Sequence, residues 1–424
     1  MSTPAAAGFS TIKSELRYPV EFCWLLGLAF FLPMFEAPKN LCWLGYVLTW
    51  LYNRARAGEW GGRWDGWDNL ILAWIASGYL VAAFAGVRYD EWSAANDVLR
   101  YGAVLWLVKR THYGERAAMA ILGVTVVSTL LTTAWACWLL LAGTKPNLEL
   151  NSVGYFNHTA IYLAIVFGVA LSIALAYWSG MGPARRAGAC LAALALVASA
   201  FATTSRAGAA AAVLVALALA VIFAAGRGTG MALALAGVIC GATLLVAANP
   251  VLLKRTEAYA DSGQPLSYRE KIWANGLIEW RRFPLFGVGM GNFGRVGFAQ
   301  LQDWSRTQGW GLSPSDEPMA IKAPHGHSLY VNTLAERGLV GFGVLLTVLA
   351  AWGRSLLVSI PRAADPPIRW TMFGSALSAW LVTVSAGMFN TTLHHEHGIL
   401  SVLLLGMWLG SRGAAAADRI SPRP

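Results

Sequence analysis

Long apolar runs alternate with short polar stretches along most of this chain. A run of about 20 apolar residues is long enough to cross a bilayer as an α-helix. The pattern predicts twelve spans, two of them short, near residues 18–35, 40–54, 68–86, 96–108, 117–142, 154–178, 187–203, 207–226, 229–248, 339–359, 368–388 and 397–411. We therefore expect an all-α polytopic membrane protein.

One long polar interval, from about Pro250 to Gly341, interrupts these runs. Within it, apolar residues recur at helical spacing and are flanked by arginine and lysine: Ile272, Trp273, Leu277, Trp280 and Phe283. This pattern predicts an amphipathic helix over 269–283 that lies in the membrane interface, and a second helix is predicted to begin near Ser328. The chain then divides into a transmembrane bundle of about nine spans (1–248), a loop domain (249–338), and about three further spans with a tail (339–424).

Composition agrees with a membrane protein. The chain is 56% hydrophobic and 13% charged, whereas soluble proteins have about 25% charged residues. Its 20 tryptophans suit many crossings, because indole rings favour the headgroup level. The net charge of +10 is spread over many short loops, so no nucleic-acid partner is expected. The five cysteines are isolated and form neither a CxxC metal motif nor a disulfide framework.

Lysine and arginine are distributed unevenly between two alternating sets of short loops. One set has seventeen of them, and the other has only Lys39, Arg88, Lys145 and Arg206. Loops rich in lysine and arginine stay on the cytoplasmic side. Both termini are therefore predicted to be cytoplasmic, and the 249–338 loop is predicted to lie in the periplasm of a bacterial inner membrane.

Two arginines are predicted to lie at the outer face. Arg206 is in a short turn between two apolar runs, and Arg269 begins the amphipathic helix. Arginines that extend to lipid headgroups fit both positions. A guanidinium also binds phosphate through two parallel hydrogen bonds, so this pair can hold a diphosphate leaving group and neutralise its developing charge.

His327 follows Pro324, His325 and Gly326 where the polar interval becomes a helix. Neutral imidazole accepts a proton near neutral pH, which suits a general base for a sugar hydroxyl. An interfacial histidine with a purely structural role fits the position as well, and His325 is an equal candidate for the base.

The last outer turn has three histidines and a glutamate in the order His394-His395-Glu396-His397. This spacing is not HExxH, and adjacent residues do not share a helix face, so we expect no metal there. Five residues are candidates for lining one cavity together with Arg206, Arg269 and His327: Arg88, Asn157, His158, His394 and His395.

Together these motifs resemble the O-antigen ligase family, within a group that includes O-antigen polymerases and protein O-oligosaccharyltransferases. Four segments support the resemblance: His327–Tyr330 with Leu334–Gly341, Arg269 with the Pro-Leu-x-Gly-x-Gly turn of Phe283–Phe293, Thr204–Gly208, and Gly154–Ala160. In the last segment Thr159 replaces the more usual asparagine. Gly287–Gly291 imitates a dinucleotide fingerprint, but no strand precedes it, so a nucleotide site is not expected.

The resemblance implies a twelve-span glycosyltransferase of the GT-C type with a large outer loop. It implies inverting transfer of O-antigen from undecaprenyl diphosphate to a sugar hydroxyl of lipid A-core. His327 would deprotonate that hydroxyl, and Arg206 and Arg269 would hold the diphosphate in place of a divalent cation. No metal or other cofactor is expected. The partners are the two lipid-linked substrates and membrane lipid, and the enzyme is expected to be a monomer.

Three other functions fit the same pattern. An O-antigen polymerase would use a second lipid-linked glycan as its acceptor, and a protein O-oligosaccharyltransferase would use serine or threonine. A polytopic transporter would have a similar number of spans. Transporters, however, more often have discontinuous helices and charges at mid-membrane, whereas the polar residues here gather at the outer face.

Overall fold

The computed structural model describes residues 16–111, 113–228, 237, 241, 266, 268–307 and 323–420, with side chains as far as residue 412. These residues form helices and loops and contain no strand, so the all-α prediction is confirmed for them. The α-helices are α1 (Pro19–Phe31), α2 (Glu36–Ala57), α3 (Gly66–Phe84), α4 (Glu91–Lys109), α5 (Glu115–Leu141), α6 (Phe156–Tyr177), α7 (Pro183–Ala202), α8 (Arg206–Arg227), α9 (Arg269–Arg282), α10 (Phe298–Thr307), α11 (Leu329–Leu357), α12 (Pro367–Ala386) and α13 (His395–Ile420).

Six of the described helices are long and apolar enough to cross a membrane: α3, α5, α6 with its extension to Gly180, α7, α8 and α11. They indicate a multi-pass membrane protein, whereas the full set of twelve spans stays a prediction. The predicted ninth span, 229–248, lies outside the described residues apart from Gly237 and Gly241. The division into three domains also stays a prediction.

α6 is the central helix of the bundle. In its most apolar window, 94% of the residues are buried, and it packs against α7, α8 and α12. Small residues allow this close approach: a Cβ added to Gly208 would lie 2.3 Å from that of Ala160, and one on Gly168 would lie 2.3 Å from that of Ser378. We call the end of the bundle where α6, α8 and α13 begin the site end, and the opposite end the far end.

A buried charge network at the site end fixes the start of α13. Lys39 of α2 forms an ion pair with Glu396 of α13, and both side chains are buried. Ser152, from the loop before α6, donates to Glu396 at 3.1 Å, and Lys39 also reaches Glu36 at 2.6 Å. A buried charge is tolerated only when it is paired and hydrogen-bonded, so this network holds α2, α13 and the loop before α6 together.

α9 confirms the helix predicted over 269–283, but its buried face differs from the predicted one. The residues that it buries are Ile272, Asn275, Gly276, Ile278 and Glu279, and the helix packs on α11 and α10. The two tryptophans of the predicted apolar face, Trp273 and Trp280, are only half-buried. Its placement in the membrane interface stays a prediction.

α11 begins at Leu329, as predicted, and is interrupted at Gly338, where φ is 56° and ψ is −162°. Two amides that follow this break bond outside the helix. Leu339 N donates to the carbonyl of Pro284 at 2.8 Å, and Val340 N donates to that of Leu285 at 3.1 Å. The segment 284–289 thus satisfies backbone groups that the interruption would otherwise leave unpaired.

The same segment satisfies the carbonyls before the break. Val288 N donates to the carbonyl of Ala335 at 2.9 Å, and Gly289 N donates to that of Glu336 at 3.0 Å. The approach is so close that a Cβ on Gly287 would lie 2.4 Å from the carbonyl oxygen of Ala335. The glycine turn 284–289 therefore stabilises the interrupted helix through backbone hydrogen bonds on both sides of the break.

We expect Gly338→Ala to destabilise the protein. The new Cβ would lie 2.4 Å from the carbonyl carbon of Leu285, and backbone strain alone costs about 1–3 kcal/mol. The melting temperature in detergent should therefore fall by several degrees. Gly343→Ala, in the same helix but with open space around its Cβ, is the control and should be neutral or slightly stabilising. Equal melting temperatures for the two variants would contradict the close backbone contact between Gly338 and Leu285.

Candidate active site

A cavity of about 620 Å³ lies at the site end of the bundle. Its lining brings together four residues that the sequence analysis singled out: Asn157, Arg206, Arg269 and His327. These residues lie far apart in the sequence and meet because α6, α8, α9 and α11 all begin here. The cavity continues along an apolar wall of α8 formed by Ala210, Ala211 and Leu214.

The starts of the helices give this cavity a positive electrostatic potential. Arg206 and Arg269 are the first residues of α8 and α9, Asn157 is the second of α6, and His327 lies two residues before α11. The first amides of a helix lack intrahelical acceptors and point along a positive dipole end. Four such ends and two guanidinium groups together favour a bound anion.

Arg206 is placed by a capped turn between α7 and α8. Ser205 caps α8 by accepting a hydrogen bond from Gly208 N at 3.4 Å, and its hydroxyl donates to Asn157 Oδ1 at 2.7 Å. Thr204 has a φ of 63°, which turns the chain sharply into α8. Asn157 therefore positions the turn that bears Arg206 as well as lining the cavity.

Arg269 is oriented by backbone carbonyls. Its Nε donates to the carbonyl of Phe389 at 3.0 Å and its Nη1 to that of Leu266 at 3.3 Å. Phe389 lies between α12 and α13, so this contact links the start of α9 to the connection between those two helices. The sequence has no signal for it, because any residue at position 389 offers the same carbonyl.

His327 is held just before the N-cap of α11. Its backbone N donates to Nδ1 of His325 at 3.3 Å, and Ser328 caps the helix by accepting from Val331 N at 3.4 Å. Leu329 N donates to the carbonyls of Gly387 at 2.7 Å and Asn390 at 3.0 Å. Nδ1 of His327 has no hydrogen-bond partner among the described residues.

The surroundings of His327 keep its imidazole neutral. Burial is the largest cause that lowers the pKa of His327 to about 4, and interactions with His325 and Arg269 lower it further. The pKa of His325 is also lowered to about 4, by burial and then by His395 and Arg269. At neutral pH the His327 ring is therefore the neutral imidazole, whose unprotonated nitrogen can accept a proton.

A cluster of histidines lies beside the cavity. The ring of His158 is 6.1 Å from that of His325 and 5.3 Å from those of His395 and His397, measured between centroids. His158, His325, His394 and His395 were candidates from the sequence, whereas His397 was not, although it adjoins them in the chain. In the parts of the chain that the structure describes, no group of three histidine, cysteine, aspartate or glutamate residues has an arrangement suited to a metal ion.

Arg88 does not line the cavity. Its guanidinium donates to the carbonyls of Ala82 and Ala83 at 2.6 Å each, at the C-terminal end of α3. A cation at that end of a helix is favoured by the helix dipole. Arg88 therefore caps the C-terminal end of α3 and has a structural role there.

Backbone strain is concentrated around this site. Of the residues that the structure describes, the non-glycines with positive φ are Thr204, Tyr268, His327, Leu393 and His395. The first two directly precede the turns of Arg206 and Arg269, and the last two flank His394. Such conformations cost free energy and are typical of functional sites.

Residues 191–346 match a family model described as O-antigen ligase. The match spans Arg206, Arg269 and His327 and ends within α11, while α1–α6, α12 and α13 lie outside it. It supports the family resemblance for the three motifs within it, whereas Gly154–Ala160 lies outside the matched residues. No curated protein matches the chain.

We expect His327 to remain reactive toward diethylpyrocarbonate, which modifies neutral imidazole, at acidic pH. Because its pKa is lowered to about 4, its modification rate, measured by mass spectrometry of its peptide, should be nearly constant from about pH 7 to about pH 5. An affinity-tag histidine with the ordinary pKa of about 6.5 should lose roughly twentyfold over the same range. A parallel loss at both histidines would show that the pKa of His327 is not lowered.

Proposed function

We propose that this protein is an O-antigen ligase, an inverting glycosyltransferase of the GT-C type. It transfers O-antigen from undecaprenyl diphosphate to a sugar hydroxyl of lipid A-core. The main support is that Arg206, Arg269 and His327, the residues that this reaction requires, line one cavity. The family match over the same residues adds to it. We further propose that it acts as a monomer in the bacterial inner membrane, with this cavity facing the periplasm.

The donor diphosphate binds to the arginine pair. Arg206 and Arg269 each offer a planar set of N–H donors that matches phosphate oxygens. As the bond from the anomeric carbon to the diphosphate breaks, its electron pair moves to the leaving diphosphate, and the negative charge there increases. Fixed cations and helix N-termini stabilise this developing charge more than the ground state. The apolar wall of α8 next to Arg206 suits the isoprenoid chain.

The acceptor hydroxyl is activated by His327. Its neutral imidazole removes the hydroxyl proton while the oxygen attacks the anomeric carbon on the face opposite the diphosphate, which inverts the configuration. A base with a pKa of about 4 is weak for this task. The bound diphosphate strengthens it, because its negative charge offsets the effect of Arg269 and raises the pKa of His327. Donor binding thus prepares the base.

The other functions differ in the acceptor or in the use of the fold. A polymerase or a protein O-oligosaccharyltransferase shares the donor half of this mechanism. A transporter has less support. In the described part of the chain, α11 is interrupted, and the backbone of 284–289 fills its broken turn, whereas transporters use such breaks for ions or substrates.

A lipopolysaccharide gel of a deletion strain distinguishes the ligase from the polymerase. Loss of the ligase should leave core without O-antigen while lipid-linked polymer accumulates, because polymerisation continues without transfer. Core with a single repeat unit would indicate the polymerase, and unchanged lipopolysaccharide with an altered glycoprotein would indicate the protein-directed enzyme. Either result contradicts the proposal.

In purified enzyme, His327→Ala should lower the transfer rate roughly 10²–10⁴-fold, the usual contribution of a general base. Arg206→Lys and Arg269→Lys keep the charge but lose the planar set of donors. Each should lose roughly tenfold or more, because a hydrogen bond to a charged group contributes about 1.5–3 kcal/mol. The assay follows glycan transfer from undecaprenyl diphosphate to lipid A-core.

Two variants serve as controls for this assay. Arg282→Lys makes the same change on the exposed side of α9 and should turn over normally, and His325→Ala should be much less impaired than His327→Ala. Excess EDTA should leave the wild-type rate unchanged. A near-normal rate for His327→Ala would remove the base assignment, and loss of activity in EDTA that a divalent ion restores would remove the arginine mechanism.

A further inference from the structure

A second cavity lies at the far end of the bundle, away from the candidate active site. It has a volume of about 300 Å³ and lies where the end of α4, the start of α5, the start of α12 and the segment 407–412 of α13 approach one another. From Arg369 to Ser385 along α12, the two cavities are separated by roughly 24 Å, at about 1.5 Å per residue. That separation is close to the thickness of the hydrocarbon core, about 30 Å, so the two cavities belong to opposite leaflets.

The walls of this groove are apolar and its rim is basic. Ile121, Ile368, Met372 and Met407 form the walls, while Arg369 and Arg412 lie at the rim. Apolar walls between helices suit an acyl chain better than a sugar or a nucleotide. A free anion has no apolar surface to bury against these walls, so the hydrophobic effect would not contribute to its binding.

The arginines at the rim form a cluster of like charge. Arg412 is close enough to Arg369 and Arg354 to be repelled by both, and no carboxylate in the described part of the chain forms an ion pair with it. Two acidic residues are nearby: Asp365 pairs with Arg369 at 3.6 Å, and Glu115 lines the groove. The charged residues of the lining itself are Arg369, Arg412 and Glu115. Two guanidiniums against one carboxylate give the lining a net positive charge, which an added phosphate would neutralise.

We propose that this groove binds an anionic phospholipid, with its phosphate between Arg369 and Arg412 and an acyl chain between α5, α12 and α13. Basic pockets between transmembrane helices hold such headgroups by charge, and the apolar walls supply the remaining affinity. The lipid fills the gap between three helices at the far end and so stabilises the bundle. This site is independent of the sugar transfer proposed above.

The test measures binding of phosphatidylglycerol to the full chain in neutral detergent, by native mass spectrometry and by the rise in melting temperature. Wild type should bind phosphatidylglycerol at least tenfold more tightly than phosphatidylcholine, and inorganic phosphate should give no rise. Arg412→Gln and Arg369→Gln should each lose at least tenfold in affinity. Arg412→Lys keeps the charge and should keep most of the affinity for phosphatidylglycerol. This variant shows whether the lost affinity of Arg412→Gln comes from misfolding.

Arg185→Gln is the matched control, because this exposed arginine at the far end lies outside the groove. It should bind phosphatidylglycerol as wild type does. Equal affinity for phosphatidylcholine would overturn the proposal, and so would an equal loss in the Arg185 variant. A rise in melting temperature with inorganic phosphate alone would replace the lipid by a free anion. No outcome depends on glycan transfer, so failure here leaves the proposed function untouched.

Discussion

The hydrogen bonds between the segment 284–289 and the interrupted turn of α11 fix the position of α9 relative to α11 at the site end. This segment follows α9, whose first residue is Arg269, and it binds the helix whose N-terminal end bears His327. A shift of the segment would therefore change the distance between the arginine and the histidine. It also accepts hydrogen bonds from Gly86 N and Val87 N, at 3.0 and 3.1 Å, which fixes both elements to the loop between α3 and α4.

That constraint explains residue types that the sequence alone leaves unexplained. Gly287 lies against the backbone of residues 335–337, and Gly338 lies against that of residues 285 and 286, so closely that neither position has room for a Cβ. Both have positive φ. From the sequence, the glycines of this turn were notable only through a family resemblance and a false likeness to a dinucleotide motif. Their role depends on a through-space contact between residues about fifty positions apart, which no local pattern encodes.

Features that depend on local periodicity were predictable, and features that depend on packing were not. The helical spacing over 269–283 predicted α9, and the helix predicted to begin near Ser328 is α11. The same spacing misjudged the buried face of α9, because packing on α11 and α10 also buries the polar residues Asn275 and Glu279. Burial and the charge of Glu336 raise the pKa of Glu279 well above its usual range, which favours a neutral carboxyl there.

The positive charge of the site has opposite effects on its two proposed tasks. Arg269 favours a bound diphosphate, yet the same charge lowers the pKa of His327 and weakens it as a base. In the proposed reaction, a bound diphosphate offsets the effect of Arg269 on the imidazole, whereas burial, the largest cause of the lowered pKa of His327, remains. Under that proposal, the strength of the base increases when the donor site is occupied. The cavity that His327 and Arg269 share would then couple donor binding to activation of the acceptor hydroxyl.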